Sequence, residues 1–366
     1  MGMAKLQFGH SGARGALGAL RALSSCQYLH ALPPYPGGKR RLLPGIFGLI
    51  NSVCPKALWP TFTFADPFLG GGAVALTAKA LGFRLVMAND LAARSVIVGR
   101  ALLENSTVRL SGHDVLSLFQ GRNGHIAPGG LLERLPPPLA GFLAGAWSRA
   151  GELPQPKDDL ARLLLIKWAV SFFPMGLPSA TDSPRLRDGD FDRITYHRLH
   201  HYLSREQRLL HPSYLLRLAD RVNAGVFPGS AVVHQSDALE FLSSTKADVA
   251  YLDPPYGGTQ PYESAFRLLD GFLGEDHVTP SAFSSKQPPL DQLLAACDHI
   301  PVVVLSMNNA LLKEGQLTAL VAYHRPIQQV LCLPYRHYGP LATAGKNEQN
   351  REIIILSARE RGSLPW

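Results

Sequence analysis

The sequence predicts an α/β fold in which a doubly wound sheet carries an inserted, mainly helical region. Phe62–Ala65 has the pattern of a strand, and a glycine turn at Gly70–Gly72 follows it. The spacing of apolar residues then predicts a helix over Ala73–Leu81 and a second strand over Arg84–Ala88. Strand, turn, helix and strand in this order make half of a doubly wound fold. The alternation stops within residues 111–226 and then resumes, which indicates an insertion into one α/β core.

The remaining elements complete the same core. A stiff turn rich in proline and glycine, Pro33–Lys39, precedes an apolar helical pattern over Leu42–Val53. Later apolar runs predict further strands at Ala231–His234, Val249–Leu252, Pro301–Leu305, Gln329–Leu333 and Glu352–Leu356. The predicted organisation is therefore a flexible, basic N-terminal arm over residues 1–30, a core over residues 31–110 and 227–366, and an insertion over residues 111–226.

Composition favours a soluble protein with a polyanionic partner. The formal net charge is +8, and 46% of the 366 residues are apolar, without a run long enough to span a bilayer. The four cysteines lie far apart, which argues against a zinc site or any other metal centre built on cysteine and fits a reducing interior. No acid precedes Asp66 although several arginines do. Such a start is typical of a basic arm beside a polyanion, and also of a transit peptide.

The most informative motif is the run Asp253-Pro254-Pro255-Tyr256, which directly follows the strand pattern Val249–Leu252. Proline has no N–H and a fixed φ, so the two prolines hold the neighbouring groups with little freedom. The Asp253 carboxylate and the Pro254 carbonyl can accept hydrogen bonds from an exocyclic amine, and the Tyr256 ring offers a face for a flat base. We therefore predict a site that holds an amino-bearing base outside its duplex.

A second set of residues predicts a nucleoside cofactor. The glycine turn that begins at Asp66 lets a ligand approach the backbone, and Asp90 after the next strand can accept hydrogen bonds from ribose hydroxyls. These two features suit NAD as well as any other nucleoside. Lys39 can pair with a cofactor carboxylate or lie on the surface. Asp237 can bind an adenine amine or cap a helix.

Five motifs in a fixed order resemble one family. They are Pro36-Gly37-Gly38-Lys39, the run from Asp66 to Gly72, Asn89-Asp90, Ser236-Asp237 and Asp253-Pro254-Pro255-Tyr256. The order is similar to that of the alpha group of N6-adenine DNA methyltransferases, the deoxyadenosine methylase family, over residues 34–110 and 228–356. The resemblance implies a Rossmann-like sheet, S-adenosyl-methionine as cofactor, and methyl transfer to the N6 amine of a flipped adenine in double-stranded DNA. The family has orphan and restriction-linked members, so a cognate restriction or defence system is an open partner.

The resemblance also assigns roles to residues. The catalytic residues that it implies are Asp253, Pro254, Pro255 and Tyr256. The methionine end of the cofactor would contact Tyr35, where the family more often has Trp, together with Gly37, Gly38 and Lys39. The rest of the cofactor would contact Asp66, Phe68, Gly70, Gly72, Asp253, Asp90 at the ribose and Asp237 at the adenine.

An arginine-rich stretch of the insertion predicts the DNA interface, so the insertion is read as a target-recognition region. Eight arginines with interleaved aromatic residues lie within residues 185–221, as expected of a segment on phosphates, although a helical layer with a solvated face has the same texture. The predicted DNA-binding residues are Arg185, Arg187, Arg193, Arg198, Arg205 and Arg336. Arg336 begins a stretch, ending at Glu352, that resembles the family's C-terminal hairpin. The insertion departs from the family pattern, so no recognition sequence is carried over.

Two other classes of function use part of these features. A methyltransferase for RNA adenine or for a protein amide can have a similar acidic corner. A nicotinamide oxidoreductase needs only the glycine turn and Asp90, and it leaves the Asp253 corner and the Lys39 loop without a role. The sequence therefore favours a DNA adenine methyltransferase of the cytoplasm, associated with the nucleoid.

Overall fold

A seven-stranded sheet lies at the centre of the molecule. The computed structural model describes residues 22–120, 130–135, 137–171, 173, 210–256, 262–275, 281–334 and 350–359. The strands are β1 (Thr63–Asp66), β2 (Leu85–Asn89), β3 (Ala231–His234), β4 (Val249–Leu252), β5 (Val302–Asn308), β6 (Ile327–Pro334) and β7 (Arg351–Ala358). Their order across the sheet is β3-β2-β1-β4-β5-β7-β6.

The sheet is doubly wound and contains one reversed strand. The pairs β1–β2, β2–β3, β1–β4 and β4–β5 are parallel, whereas β7 lies antiparallel between β5 and β6. The strand order reverses between β1 and β4. In open α/β sheets, ligands bind at the carboxyl ends of the strands beside such a switch point. The predicted Rossmann-like α/β sheet is confirmed.

Alternate side chains of the strands enter two separate apolar cores. Phe64, Tyr251 and Val304 lie in the core on one face, while Ala65 and Leu252 lie in the core on the other. Because helices cover both faces, β5 is buried along its whole length and reads as a nearly continuous apolar run. Burial of these apolar side chains stabilises the strands whose ends carry the site.

Helices cover both faces of the sheet. The α-helices of the described residues are α1 (Leu43–Val53), α2 (Ala73–Ala80), α3 (Ala93–Gly99), α4 (Gly112–Ser117), α5 (Pro137–Ala150), α6 (Lys157–Val170), α7 (Pro212–Asn223), α8 (Ala238–Ser244), α9 (Tyr262–Phe272), α10 (Leu290–Ala296) and α11 (Glu314–His324). Buried residues of α1–α7 and α9 belong to the first core, and those of α8, α10 and α11 belong to the second. No described helix has the length and apolar character that crossing a membrane requires.

Parts of the predicted arm and of the predicted insertion pack on the first core. Within the predicted arm of residues 1–30, the structure describes residues 22–30, which lie in two 3-10 helices, Ala22–Ser25 and Gln27–Ala31. Leu29 is buried in the core, because it is an apolar residue that packs near α7. Helices α4 to α7 of the insertion contribute buried residues to the same core. The boundaries of the insertion and its recognition role stay predictions.

Candidate active site

A cleft opens at the carboxyl ends of β1 to β4. Asp66 ends β1, Asp90 follows β2 and Asp253 follows β4, so parallel strands deliver three carboxylates to one edge of the sheet. Every residue that the sequence analysis assigned to the cofactor or to catalysis lines this cleft, namely Tyr35, Gly37, Gly38, Lys39, Asp66, Phe68, Gly70, Gly72, Asp90, Asp237, Asp253, Pro254, Pro255 and Tyr256. The structure brings these residues together, and their individual roles stay predictions.

The turn between β1 and α2 needs glycine at three consecutive positions. Gly70 and Gly72 have φ values of +50° and +80°, a region that residues with a Cβ rarely adopt. A Cβ at Gly71 would lie 2.7 Å from the Cβ of Tyr35. Tyr35 stacks on Phe266 of α9, with ring centroids 5.3 Å apart. The turn is therefore free of side chains on one side and backed by a packed aromatic pair on the other.

A buried ion pair supports these two rings. The Arg94 guanidinium lies 4.2 Å from the Phe266 ring centroid and donates to an Asp270 carboxylate oxygen at 2.6 Å. Burial raises the pKa of Tyr35 to about 12, although the nearby Arg94 charge opposes the rise. Tyr35 is therefore a neutral wall of the cleft at physiological pH.

Asn89 and Asp90 connect the ends of two strands to the glycine turn. The Asp90 carboxylate accepts a hydrogen bond from the Gly70 N–H at 2.7 Å. The buried Asn89 amide donates to the Pro67 carbonyl at 3.3 Å and to the Ser236 carbonyl at 3.0 Å. Its oxygen accepts from both the N–H and the hydroxyl of Ser236. This network fixes the end of β2, the glycine turn and the segment before α8 relative to one another.

Asp237 caps α8, which was one of its two predicted roles. Its carboxylate accepts a hydrogen bond from the Leu239 N–H at 2.8 Å. The same side chain lines the cleft. Because a carboxylate has several lone pairs, capping leaves acceptor capacity for the adenine amine of a bound nucleoside.

Asp66 is a buried carboxylate on the wall of the cleft. Asp66 is 1% exposed, and its carboxylate accepts a hydrogen bond from the Phe68 N–H at 3.3 Å. Burial raises the pKa of Asp66 to about 8, the charge of Asp253 adds to the rise, and the Phe68 N–H opposes it. No described lysine or arginine forms an ion pair with it. A ligand cation beside Asp66 would therefore find a carboxyl group without a competing partner.

Lys39 links the Gly37–Gly38 loop to the Asp253 corner. Its buried ammonium lies 2.9 Å from Asp253 Oδ2 and donates to Tyr256 Oη at 2.5 Å and to the Gly37 carbonyl at 2.9 Å. A buried ammonium needs a charged partner close by, and Asp253 is one. Contact of Lys39 with a cofactor carboxylate stays a prediction. Burial raises the pKa of Asp253 to about 6, with Lys39 opposing the rise and Glu352 adding to it. Asp253 is thus a charged acceptor above about pH 6.

Glu352 completes this corner from β7. Its side chain is fully buried, and its Oε1 accepts hydrogen bonds from the hydroxyls of Tyr256 and Ser306, both at 2.6 Å. The Lys39 ammonium lies 3.7 Å from the same oxygen. Glu352 ends the stretch that resembles the family's C-terminal hairpin, and its side chain faces the protein interior.

The predicted DNA-binding arginines lie outside the described residues, and these are Arg185, Arg187, Arg193, Arg198, Arg205 and Arg336. Of the arginine-rich stretch, the structure describes Arg217 and Arg221. Both belong to α7 and both are exposed.

Sequence reasoning missed the structural roles of Asn89, Ser306 and Glu352. The available signal was a polar residue inside or at the start of an otherwise apolar strand, as at Glu352 before Ile353–Leu356. Such residues are buried only when they have a partner. The partner of Glu352 lies 96 positions away in the chain, so the sequence does not indicate which residue it is.

Comparison with known proteins agrees with this geometry. Residues 35–119 match the family model of the D12 class N6 adenine-specific DNA methyltransferases. This part of the chain is therefore similar to a domain of these methyltransferases. The Type II methyltransferase M2.HphI of Haemophilus parahaemolyticus is 24% identical over 334 residues, which cover 83% of this chain and 93% of that protein. The resemblance stated from the motifs is confirmed.

The two comparisons differ in how much of the chain they cover. The family match includes the Lys39 loop, the glycine turn and Asp90, which form one side of the cleft. The Asp253 corner lies beyond the matched range, whereas the weak similarity to the Haemophilus protein extends over most of the chain. Together the matches indicate an adenine-specific DNA methyltransferase.

Proposed function

We propose that this protein transfers a methyl group from S-adenosyl-methionine to the N6 amine of an adenine extruded from double-stranded DNA. The observation that carries the proposal is that the glycine turn and the Asp253 corner line one cleft. The family match supports adenine in DNA as the acceptor. The carboxylates at three strand ends support a nucleoside cofactor with a cationic group.

The residues of the cleft fit S-adenosyl-methionine. Asp66, buried and without a described cationic partner, suits the ammonium group of the methionine end. Asp90 would hold the ribose hydroxyls and Asp237 the adenine amine. The side-chain-free turn at Gly70–Gly72 would lie along the middle of the cofactor. When bound, the cofactor supplies an electrophilic methyl group on a sulfonium.

The corner has the acceptors that an adenine amine needs. The amine is a weak nucleophile because the ring delocalises its lone pair. Since Asp253 Oδ2 is paired with Lys39, we assign the N6 hydrogens to Asp253 Oδ1 and to the Pro254 carbonyl. These hydrogen bonds would localise the lone pair and align the amine with the methyl group, so that the new C–N bond forms as the C–S bond breaks. Asp253, with a pKa of about 6, can take the proton that the nitrogen loses.

Tyr256 lines the cleft and also holds its charged neighbours. The residue is 7% exposed, and Lys39 and Glu352 hold its hydroxyl. Stacking of an extruded base on the ring stays part of the proposal. The hydroxyl fixes the positions of Lys39 and Glu352.

A cluster of three cations supports contact with the DNA backbone. The Lys167 ammonium and the Arg40 guanidinium both donate to the Leu32 carbonyl, at 2.7 Å and 3.2 Å. Burial, together with the charges of Arg40 and Arg221, lowers the pKa of Lys167 to about 7. No described acid forms an ion pair with these three residues. Phosphate groups would relieve this repulsion between like charges.

The test is a methyl-transfer assay with isotopically labelled S-adenosyl-methionine on duplex DNA, RNA and protein. We expect labelled N6-methyladenine in hydrolysed DNA, and turnover lower by roughly 10²-fold or more in Asp253→Asn, which removes the charged acceptor. DNA binding of that variant should be unchanged. Label found only in RNA or only in protein would instead indicate an RNA or a protein methyltransferase. Stabilisation by NAD without any by S-adenosyl-methionine would favour an oxidoreductase.

A further inference from the structure

Glu352 stands apart from the cleft residues because it comes from the reversed strand β7 and is far from them in sequence. It is 0% exposed, and one of its oxygens receives two hydrogen bonds of 2.6 Å, from Tyr256 and from Ser306. Its other oxygen, Oε2, has no hydrogen-bond partner in the structure. Burial of a carboxylate under these conditions is costly. A residue that only filled space here would be more stable as an apolar side chain.

The contacts of Glu352 lead to the catalytic acid by two short routes. Tyr256 donates to Glu352 and accepts from Lys39, whose ammonium lies 2.9 Å from Asp253 Oδ2. Lys39 is also 3.7 Å from Glu352 directly. Lys39 therefore lies between two carboxylates, one facing the cleft and one behind it. Without the rear carboxylate, the ammonium would have one charged partner and the phenol would lose its acceptor.

We propose that Glu352 is the positioning residue of the catalytic corner, holding Lys39 and Tyr256 so that Asp253 keeps one oxygen for the ammonium and presents the other to the amine. Ser306 of β5 fixes the carboxylate of Glu352 from the opposite side. The description of this corner as catalytic rests on the proposed function. The coupling of Glu352 to Asp253 is a property of the protein alone.

The same arrangement sets the charge that Asp253 experiences. The titratable groups around Asp253 are Lys39, Glu352 and Tyr256, together with Asp66 and Tyr251, which its charge affects. Burial raises the pKa of Asp253 to about 6. The charge of Lys39 opposes this rise, and the charge of Glu352 adds to it. Glu352→Gln keeps the shape of the side chain and an acceptor for Tyr256, but it removes one negative charge. The pKa of Asp253 should therefore fall in this variant.

The first experiment needs no methyl transfer. The carboxyl groups of aspartate are labelled with ¹³C, the Asp253 signal is assigned with Asp253→Asn, and its titration is followed by NMR in the wild type and in Glu352→Gln. A lower pKa in Glu352→Gln supports the proposal, and an unchanged pKa overturns it. Because wild-type activity is not required, this result remains interpretable even if the protein does not methylate adenine.

The second experiment compares Glu352→Ala, Tyr256→Phe and the double variant. With methyl transfer established, Glu352→Ala should lower kcat by roughly 10²-fold, the loss expected when a reacting group moves by about 1 Å, with little change in KM for the cofactor. The losses in kcat should be less than additive in the double variant, because both changes disrupt one network. Additive losses, or a kcat unchanged in Glu352→Ala, would overturn the positioning role.

The control is Ser357→Ala on the same strand. Ser357 is buried and donates to the Val303 carbonyl at 3.2 Å, away from the corner. Ser357→Ala should leave both kcat and the titration of Asp253 unchanged. It shows whether the loss of any buried polar group from β7 lowers kcat as Glu352→Ala does. If Glu352→Ala does not fold, Glu352→Gln replaces it in the kcat comparison and also serves in the titration.

Discussion

Asp66 and Asp253 are two acids that line one cleft but have different neighbouring groups. Asp253 has an ammonium at 2.9 Å, whereas the partners of Asp66 are backbone N–H groups, that of Phe68 at 3.3 Å and that of Ala75. Burial raises the pKa of both, to about 6 for Asp253 and to about 8 for Asp66. At neutral pH, Asp253 is therefore mainly charged and Asp66 mainly protonated. Such a separation of pKa values between neighbouring acids is typical of functional sites.

Asp66→Asn should stabilise the protein at alkaline pH and weaken cofactor binding. The pKa of Asp66 is raised from 3.8 to about 8 in the folded state, so its contribution to stability is fully present below about pH 4 and is lost as pH rises through 8. Asparagine has no proton to lose. At pH 9 we expect a gain of about 1 kcal/mol or more in the free energy of unfolding, since one pKa unit corresponds to about 1.4 kcal/mol.

Denaturant unfolding at pH 5 and pH 9 measures this effect, and calorimetric titration measures the affinity for S-adenosyl-methionine. The wild-type affinity should rise with pH between 7 and 9 as Asp66 becomes charged, and the variant should lack this rise. An equal stability difference at both pH values would show that Asp66 is not the group that titrates.

At the scale of single elements, the turn between β1 and α2 shows why sequence alone predicted this part of the fold well. Consecutive glycines between a strand and a helix predict a tight turn, and Gly70 and Gly72 have the positive φ values of such a turn. Strands β3 and β4 were also predicted at their observed bounds, because each is a short apolar run.

The reversed strand could not be predicted in the same way. The sequence indicates apolar strands at its end, but pairing of β7 between β5 and β6 depends on tertiary contacts. Strand β5 extends to Asn308, beyond its predicted end, because pairing with β7 buries Ser306 and Asn308. For the same reason, the sequence did not indicate that Glu352 is buried against Tyr256 or that Lys39 lies beside Asp253.

Gly71→Ala should disrupt the turn although Gly71 has no unusual φ. The added Cβ would lie 2.7 Å from the Tyr35 Cβ, which is attached directly to the backbone and has no freedom to move aside. Overpacking of this kind costs about 1–3 kcal/mol of folding stability. We also expect weaker binding of S-adenosyl-methionine, because Tyr35 and the turn form one wall of the cleft.

The matched control is Gly315→Ala near the start of α11, where a Cβ meets no atom within 4 Å. Alanine in an exposed helix should stabilise by up to about 1 kcal/mol. Thermal unfolding and cofactor titration of both variants give the comparison. Equal behaviour of the two alanine variants would contradict the assigned contact with Tyr35.

At the scale of the whole molecule, charge is arranged to suit a polyanion. The net charge of +8 is accompanied by a cluster of Arg40, Lys167 and Arg221 near Leu32, for which the described residues supply no acidic partner. This surface was predicted only in part, since Arg221 belongs to the arginine-rich stretch while Lys167 had no sequence signal. A cation that is half-buried among other cations is recognised only from the folded structure.

Arg221→Gln should reduce the salt dependence of DNA binding. Loss of one phosphate contact lowers the slope of log affinity against log salt concentration by about 0.9. Lys246→Gln is the control, because Lys246 is exposed before β4, at the opposite edge of the sheet from the cleft. Fluorescence anisotropy of labelled duplex DNA over a salt series measures both slopes. Equal slopes for the two variants would locate the phosphate contacts elsewhere.

The position of β7 has a consequence for the newly made chain. Because β7 inserts between two strands that precede it, β5 presents an open edge of unpaired N–H and C=O groups until residues 351–358 have left the ribosome. Glu352 belongs to the same strand, so the corner of the nascent protein is not assembled until β7 docks. Freshly synthesised molecules should therefore rely on chaperones during this interval and methylate nothing before it ends.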